Sequence, residues 1–166
     1  MLRSAIAILL GLAAFTAATA PLAADDATAI VGVWVTEPSE PGEPYSHMEI
    51  YETDGKFAGR IAWLSDPVYR ADDPEAGAIV HDRENPDEAK RTRPLLGLEI
   101  MHGFRFDAKD GKWVDGRIYD PESGKEYRCK MTMKDTETLE VFGYVKVGFV
   151  KLGRDTIWKR AAVAGD

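Results

Sequence analysis

Two Asp-Gly pairs, Asp54-Gly55 and Asp110-Gly111, stand between stretches in which apolar and polar residues alternate. Asp and Gly both accept the positive φ of a tight turn, so each pair is expected to fold the chain back into an antiparallel hairpin. Around the first pair, Ser46–Thr53 places Met48 and Ile50 on one side and His47, Glu49 and Tyr51 on the other. Lys56–Leu64 returns with Phe57, Gly59, Ile61 and Trp63 sharing a face. Around the second pair, Glu99–Asp107 carries Ile100, His102, Phe104 and Phe106 on one face, and Lys112–Tyr119 follows. Alternation with period two is the signature of half-buried strands.

The rest of the chain extends this pattern. Ala29–Thr36 is apolar and β-branched, as in a buried strand. Asp120-Pro121-Glu122-Ser123-Gly124 reads as a turn between Tyr119 and Tyr127, with Gly124 at positive φ. Lys125–Met133 places Tyr127, Cys129, Met131 and Met133 together, opposite a polar face, so Cys129 is expected to be a buried thiol. Thr138–Val145 groups Leu139, Val141 and Gly143, then Lys146–Leu152 is another apolar stretch and Asp155–Arg160 a short closing strand. About eight to ten short strands joined by tight turns describe an all-β antiparallel sandwich or barrel, and closure into a barrel removes sheet edges.

One segment breaks the strand pattern. Ser65–Leu98 holds eight acids and five bases, with Pro67, Pro74 and Pro86 among them. Within it, Asn85-Pro86-Asp87-Glu88 before Lys90 and Arg91 reads as a short helix, with Asn85 as cap and Pro86 at the first position. A loop this long in a small domain is expected to be a lid, a binding loop or a flap.

Residues 1–24 belong to none of this. Arg3 precedes an apolar run, Ala5–Ala18, and small residues lead to Asp25-Asp26. This is the layout of a secretory signal peptide cut after Ala24, and the run is too short to span a bilayer. The remaining 142 residues (166 − 24) form one domain, 25–166, expected in a bacterial periplasm or secreted. Its formal charge moves from −7 to 20 − 28 = −8. Such an acidic balance argues against a nucleic-acid partner. A lone cysteine excludes a disulfide framework within the chain. His47, His81 and His102 lack metal-ligand spacing, and neither a nucleophile elbow nor a phosphate-cradling loop occurs, so no metal and no cofactor is expected.

Gly32-Val33-Trp34 in the first strand and Trp158-Lys159-Arg160 in the last resemble the opening and closing units of lipocalin-like, calycin-type barrels. In that arrangement Trp34 plugs one end, Gly32 leaves room beside it, Arg160 covers the indole face, and Trp158 belongs to the closing strand. The wider series is Ile50-Tyr51, Gly59-Arg60-Ile61-x-Trp63-Leu64, Asp82-x-x-Asn85-Pro86, Arg93-Pro94-Leu95-Leu96-Gly97-Leu98 and Gly116-Arg117-Ile118-Tyr119-Asp120-Pro121-Glu122-Ser123-Gly124-Lys125. In this order it resembles the bacterial exported family known as domain of unknown function twenty-one forty-seven. The resemblance implies a lipocalin-like barrel and no settled activity.

Three kinds of function remain open from sequence. Trp63, Phe104, Tyr127, Met131 and Leu139 fall on apolar faces and are candidates to line a cavity for a small apolar molecule or lipid, or simply to fill a core. Asp82, Asn85, Arg91 and Arg93 are candidates for a polar site at the barrel mouth, with Asp82 pairing either arginine and so holding the long loop closed, or for an ordinary solvated cap with its ion pairs. A filled barrel would instead act through its surface on a protein partner. An enzyme would need a titratable pair, such as Asp82 with His81 or His102, converging on a cleft.

Overall fold

The computed structural model describes residues 27–36, 38 and 40–162. The leader expected at residues 1–24 lies outside them. Eight strands follow in order: β1 Gly32–Thr36, β2 Ser46–Thr53, β3 Lys56–Leu64, β4 Glu99–Asp107, β5 Lys112–Asp120, β6 Lys125–Asp135, β7 Thr138–Val147 and β8 Val150–Arg160. Each pairs antiparallel with the next, and β8 pairs back onto β1, so the sheet is a closed barrel. Every strand finds both neighbours within residues 32–160, so the barrel closes on itself.

The turns follow the residue chemistry. Asp54 and Gly55 both take positive φ, 51° and 72°, and Thr53 faces Lys56 across a two-residue hairpin turn. The second Asp-Gly pair ends a longer connection: Asp107 faces Lys112, and only Gly111, at φ 61°, is left-handed. The apolar stretch Lys146–Leu152 and the strand at Asp155–Arg160 resolve into the end of β7, a two-residue turn at Gly148-Phe149, and one long β8.

The base of the barrel is packed solid. Ile30, Trp34, Met48, Ile50, Phe57, Met101, Phe104, Trp113, Met131 and Leu139 are buried together. The first strand is shorter than Ala29–Thr36. Ala27–Ile30 form a 3-10 turn that folds under the barrel, because Gly32 at φ 132° breaks the extended run ahead of Trp34. The Trp34 indole donates to the Ile30 carbonyl at 2.8 Å, and Trp113 donates to that of Ala27 at 2.9 Å. Arg160 lies over Trp34, its guanidinium carbon 4.2 Å from the ring centroid. A Cβ on Gly32 would stand 3.0 Å from the Arg160 Nη1, so this glycine leaves the room expected of it.

Strict alternation fails at several places, and two of them displace residues named as candidates. In β3 the register shifts between His47↔Trp63 and Met48↔Ile61, leaving Ala62 as an extra residue. A bulge of this kind inverts the faces beyond it. Phe57 and Ile61 point into the core, whereas Trp63 stands outside, 42% exposed, its ring 4.6 Å from His47 and 5.5 Å from Tyr45. In β4 Gly103 takes φ 79°; Met101 and Phe104 are both buried, and His102, expected on the Phe104 face, is exposed beside Glu126.

The segment Ser65–Leu98 is well knit. Its backbone pairs with itself through bridges Val68↔Ile79 and His81↔Pro94, and Arg70 pairs with Asp66, Arg83 with Asp73 and Lys90 with Asp87. The expected helix is one 3-10 turn, Glu88–Lys90, whose cap is Asp87, accepting from the Ala89 N–H at 3.1 Å. Asn85 is not that cap. Its Nδ2 is turned inward, onto the Asp82 carboxylate.

Candidate functional site

The barrel is filled at one end and hollow at the other. Above the packed base lies an open-mouthed cavity of about 600 Å³. Its wall is Ile100 of β4, Ile118 of β5, Tyr127 of β6, Val141 and Gly143 of β7 and Trp158 of β8. These positions come from the inward register: Leu139 faces Trp158, Val141 faces Thr156, Gly143 faces Arg154 and Val145 faces Leu152. The first pair closes the packed base and the next ones line the hollow. At the rim stand Tyr119, Asp120, Pro121 and Glu122 from the β5–β6 turn, with Arg154 and Thr156 across from them. Glycine at 143 adds to the volume, because a Cβ there would meet only Ile118, at 3.7 Å.

Beside this mouth the long loop is locked to the barrel wall. Asp82 is fully buried. One carboxylate oxygen accepts from the Tyr119 hydroxyl at 2.6 Å. The other accepts from Asn85 Nδ2 at 2.7 Å and from Arg93 Nε and Nη2 at 2.8 Å each. Asn85 Nδ2 also donates to the Tyr119 oxygen at 3.1 Å, while its Oδ1 accepts from the Asp87 N–H at 2.9 Å. The charge of Asp82 is therefore met by Arg93 and its lone pairs by four donor atoms from three side chains, as a buried carboxylate requires. Arg91 does not pair with Asp82; it donates to the Asn85 carbonyl at 2.8 Å. Gly124, at φ 66°, completes the lock. A Cβ there would fall 2.0 Å from the Glu84 carbonyl oxygen, so only glycine lets loop and turn touch.

Burial pushes the Tyr119 hydroxyl up to about 12, with the bond donated to Asp82 adding to it, so the phenol stays a donor at neutral pH. Burial likewise pushes the Cys129 thiol up to about 12, and the residue is a core group rather than a nucleophile. His81 is held by the Arg91 carbonyl at 2.6 Å and by Glu75, and His102 stands near Glu126. Neither joins Asp82, whose oxygens are taken, so the pairs of Asp82 with His81 and with His102 are not assembled. Among the described residues no group of His, Cys, Asp and Glu could hold a metal ion, and no helix is long and apolar enough to cross a membrane.

Of the candidates read from sequence, Tyr127 lines the cavity, while Phe104, Met131 and Leu139 belong to the packed base and Trp63 to the outer face. Asp82, Asn85, Arg91 and Arg93 form or buttress the lock, and none of them lines the cavity; nor does any other residue of Ser65–Leu98. The loop is strapped down, and of the connections at this end the β5–β6 turn and the β7–β8 hairpin contribute to the cavity wall and rim. Tyr119, Asp120 and Pro121 do more than turn the chain: they form one side of the rim. Of the lining residues, alternation places Ile100 and Val141 on apolar faces but does not say that they belong to the hollow half, and it assigns no face to Ile118, Thr156 or Trp158. A second recess of about 450 Å³ lies within the loop, against Tyr69, Arg83 and Leu95.

A closed eight-stranded antiparallel barrel with a plugged base and a hollow mouth is a lipocalin-like barrel. HP1028 from the human pathogen Helicobacter pylori, a protein described as belonging to the lipocalin family, is similar in structure, with a TM-score of 0.63 and 22% identity over 80% of this chain and 82% of that one. No curated protein matches. Residues 32–160 match the family described as uncharacterized protein conserved in bacteria (DUF2147), and the chain belongs to that family.

Proposed function

We propose that this protein binds a small, largely apolar molecule or lipid in the hollow half of its barrel, and that it does so after export. The observation carrying this reading is the cavity of about 600 Å³ with an apolar wall and a polar rim. Ligand sites have this size and this make-up, a mostly apolar lining with a few polar groups at one side. Ile100, Ile118, Val141 and Trp158 would take up apolar surface, and its removal from water would drive binding. Asp120, Glu122 and Arg154 at the rim would meet a polar end. A barrel filled throughout, working only through its surface, fits this hollow less well. The leader-like residues 1–24 support export to the periplasm or beyond.

Native mass spectrometry of protein taken directly from the exported fraction tests both parts. The expected result is a chain beginning at Asp25 carrying a non-covalent mass. Gly143→Leu places a side chain in the cavity where a Cβ has room. It is expected to abolish that mass and weaken a fluorescent fatty-acid probe about tenfold or more, with the barrel still folded. A wild-type protein that carries nothing and binds no probe, or a Gly143→Leu protein that binds as wild type does, would count against the reading.

A further inference from the structure

The inward face of β7 and β8 continues beyond the rim. Val145 faces Leu152 and Val147 faces Val150 in the same parity as the cavity wall, so the hairpin carries that apolar face outward. Exposure rises toward its apex: Val145 is 44% exposed, Leu152 56%, Val147 and Val150 58%, and Phe149 at the turn is fully exposed. Gly148 at φ 61° sets the tight turn that lifts Phe149 to the tip. The opposite face carries the cross-strand pair Lys146 and Lys151, the latter lying 4.7 Å from the Tyr144 ring centroid. From Gly143 to Arg154 the chain has three cations and no acid, in a protein of net charge −7.

We infer that this hairpin docks the barrel mouth onto an anionic lipid bilayer, tip first. An apolar apex with basic residues just behind it matches the layering of such a surface, acyl chains inside and anionic headgroups outside. The acidic remainder of the molecule would be repelled, so the basic hairpin sets the orientation. Because Val145 and Leu152 belong to both hairpin and cavity wall, docking would set the mouth against the source of an apolar ligand; this consequence rests on the ligand-binding reading, whereas the docking itself does not.

The test is co-sedimentation of the chain from Asp25 onward, whose barrel closes within residues 32–160, with vesicles of phosphatidylcholine alone or mixed with phosphatidylglycerol. Omitting residues 1–24 keeps the apolar leader from binding by itself. Binding is expected to the mixed vesicles, weakening as salt rises. Phe149→Glu, and separately the pair Lys146→Glu with Lys151→Glu, should each lower it about tenfold or more, with unchanged melting temperature, since these side chains are exposed. Absence of binding to mixed vesicles, equal binding to neutral ones, wild-type binding by Phe149→Glu, or a soluble dimer that Phe149→Glu dissociates would each overturn the proposal. Gly143→Leu separates the two readings: it should keep vesicle binding and lose the fatty-acid probe. Vesicle binding by a protein that takes up no probe would leave docking standing and remove the cavity function.

Discussion

Asp82 and Tyr119 carry most of what is unusual at the scale of single residues. A fully buried carboxylate is held by a phenol, an amide and a guanidinium, so truncating it leaves three donors aimed at nothing. Asp82→Ala is expected to lower stability by about 3 kcal/mol, the cost of breaking a buried charged pair, and urea denaturation measures it. Tyr119→Phe removes two bonds, the one donated to Asp82 and the one accepted from Asn85, and should cost about 1.5 kcal/mol at neutral pH. Its pH dependence has a definite sign. Folding raises this phenol from 10.0 to about 12, so its contribution is whole below pH 10 and is lost as pH rises toward 12. The stability gap between wild type and Tyr119→Phe should therefore be constant up to about pH 10 and close above it. Tyr51, also pushed up to about 12, chiefly by its hydrogen bond with Glu99, shifts both proteins alike. Sequence offers Asp82 as a partner of Arg91 or Arg93 that holds the loop closed, and the structure selects Arg93; its burial could not be read, since an acid followed three residues later by Asn-Pro looks equally like a solvated turn. What decides it is Tyr119, 37 residues away.

Among the elements, the β5–β6 turn and the long loop are fitted to each other. Two glycines separate turn geometry from that fit. Gly111 and Gly124 both sit at positive φ, 61° and 66°, but a Cβ on Gly111 meets nothing within 4 Å, whereas one on Gly124 strikes the Glu84 carbonyl. Gly111→Ala should cost about 1 kcal/mol, the backbone penalty alone. Gly124→Ala should cost about 3 kcal/mol, because loop and turn must part, and should speed proteolysis within residues 65–98. Thermal melts with limited proteolysis distinguish the two. Element positions were legible wherever alternation ran unbroken, as in β2 and β6. They were misread at Trp63 and His102, where a bulge at Ala62 and the left-handed Gly103 invert the faces. One inserted residue in a period of two exchanges inside for outside, and nothing local announces it.

Closure of the whole barrel depends on its shortest seam. β1 and β8 share three pairs, Trp34↔Arg160, Val35↔Lys159 and Thr36↔Trp158. Arg160 reinforces them by covering Trp34 and donating to the carbonyls of Thr136, Val31 and Ala29 at 2.9, 3.2 and 2.7 Å. Arg160→Ala is expected to cost about 3 kcal/mol, and Arg160→Lys to recover less than half, because an ammonium cannot fork to three carbonyls while lying flat on an indole. Differential scanning calorimetry of the two variants checks this. Alternation and turn chemistry are properties of neighbouring residues. From them the sequence alone determined an all-β chain of short antiparallel strands and the turn at Asp54-Gly55, while its resemblance to lipocalin-like barrels implied the bracket of Trp34 and Arg160. Which half of the barrel is packed and which is hollow, that Trp63 faces water, and that Asp82 straps a loop rather than meeting a ligand were decided only by the tertiary structure. Those outcomes depend on side-chain volume and on partners brought together from as far apart as Ala29 and Arg160, 131 residues, a distance over which no local pattern carries information.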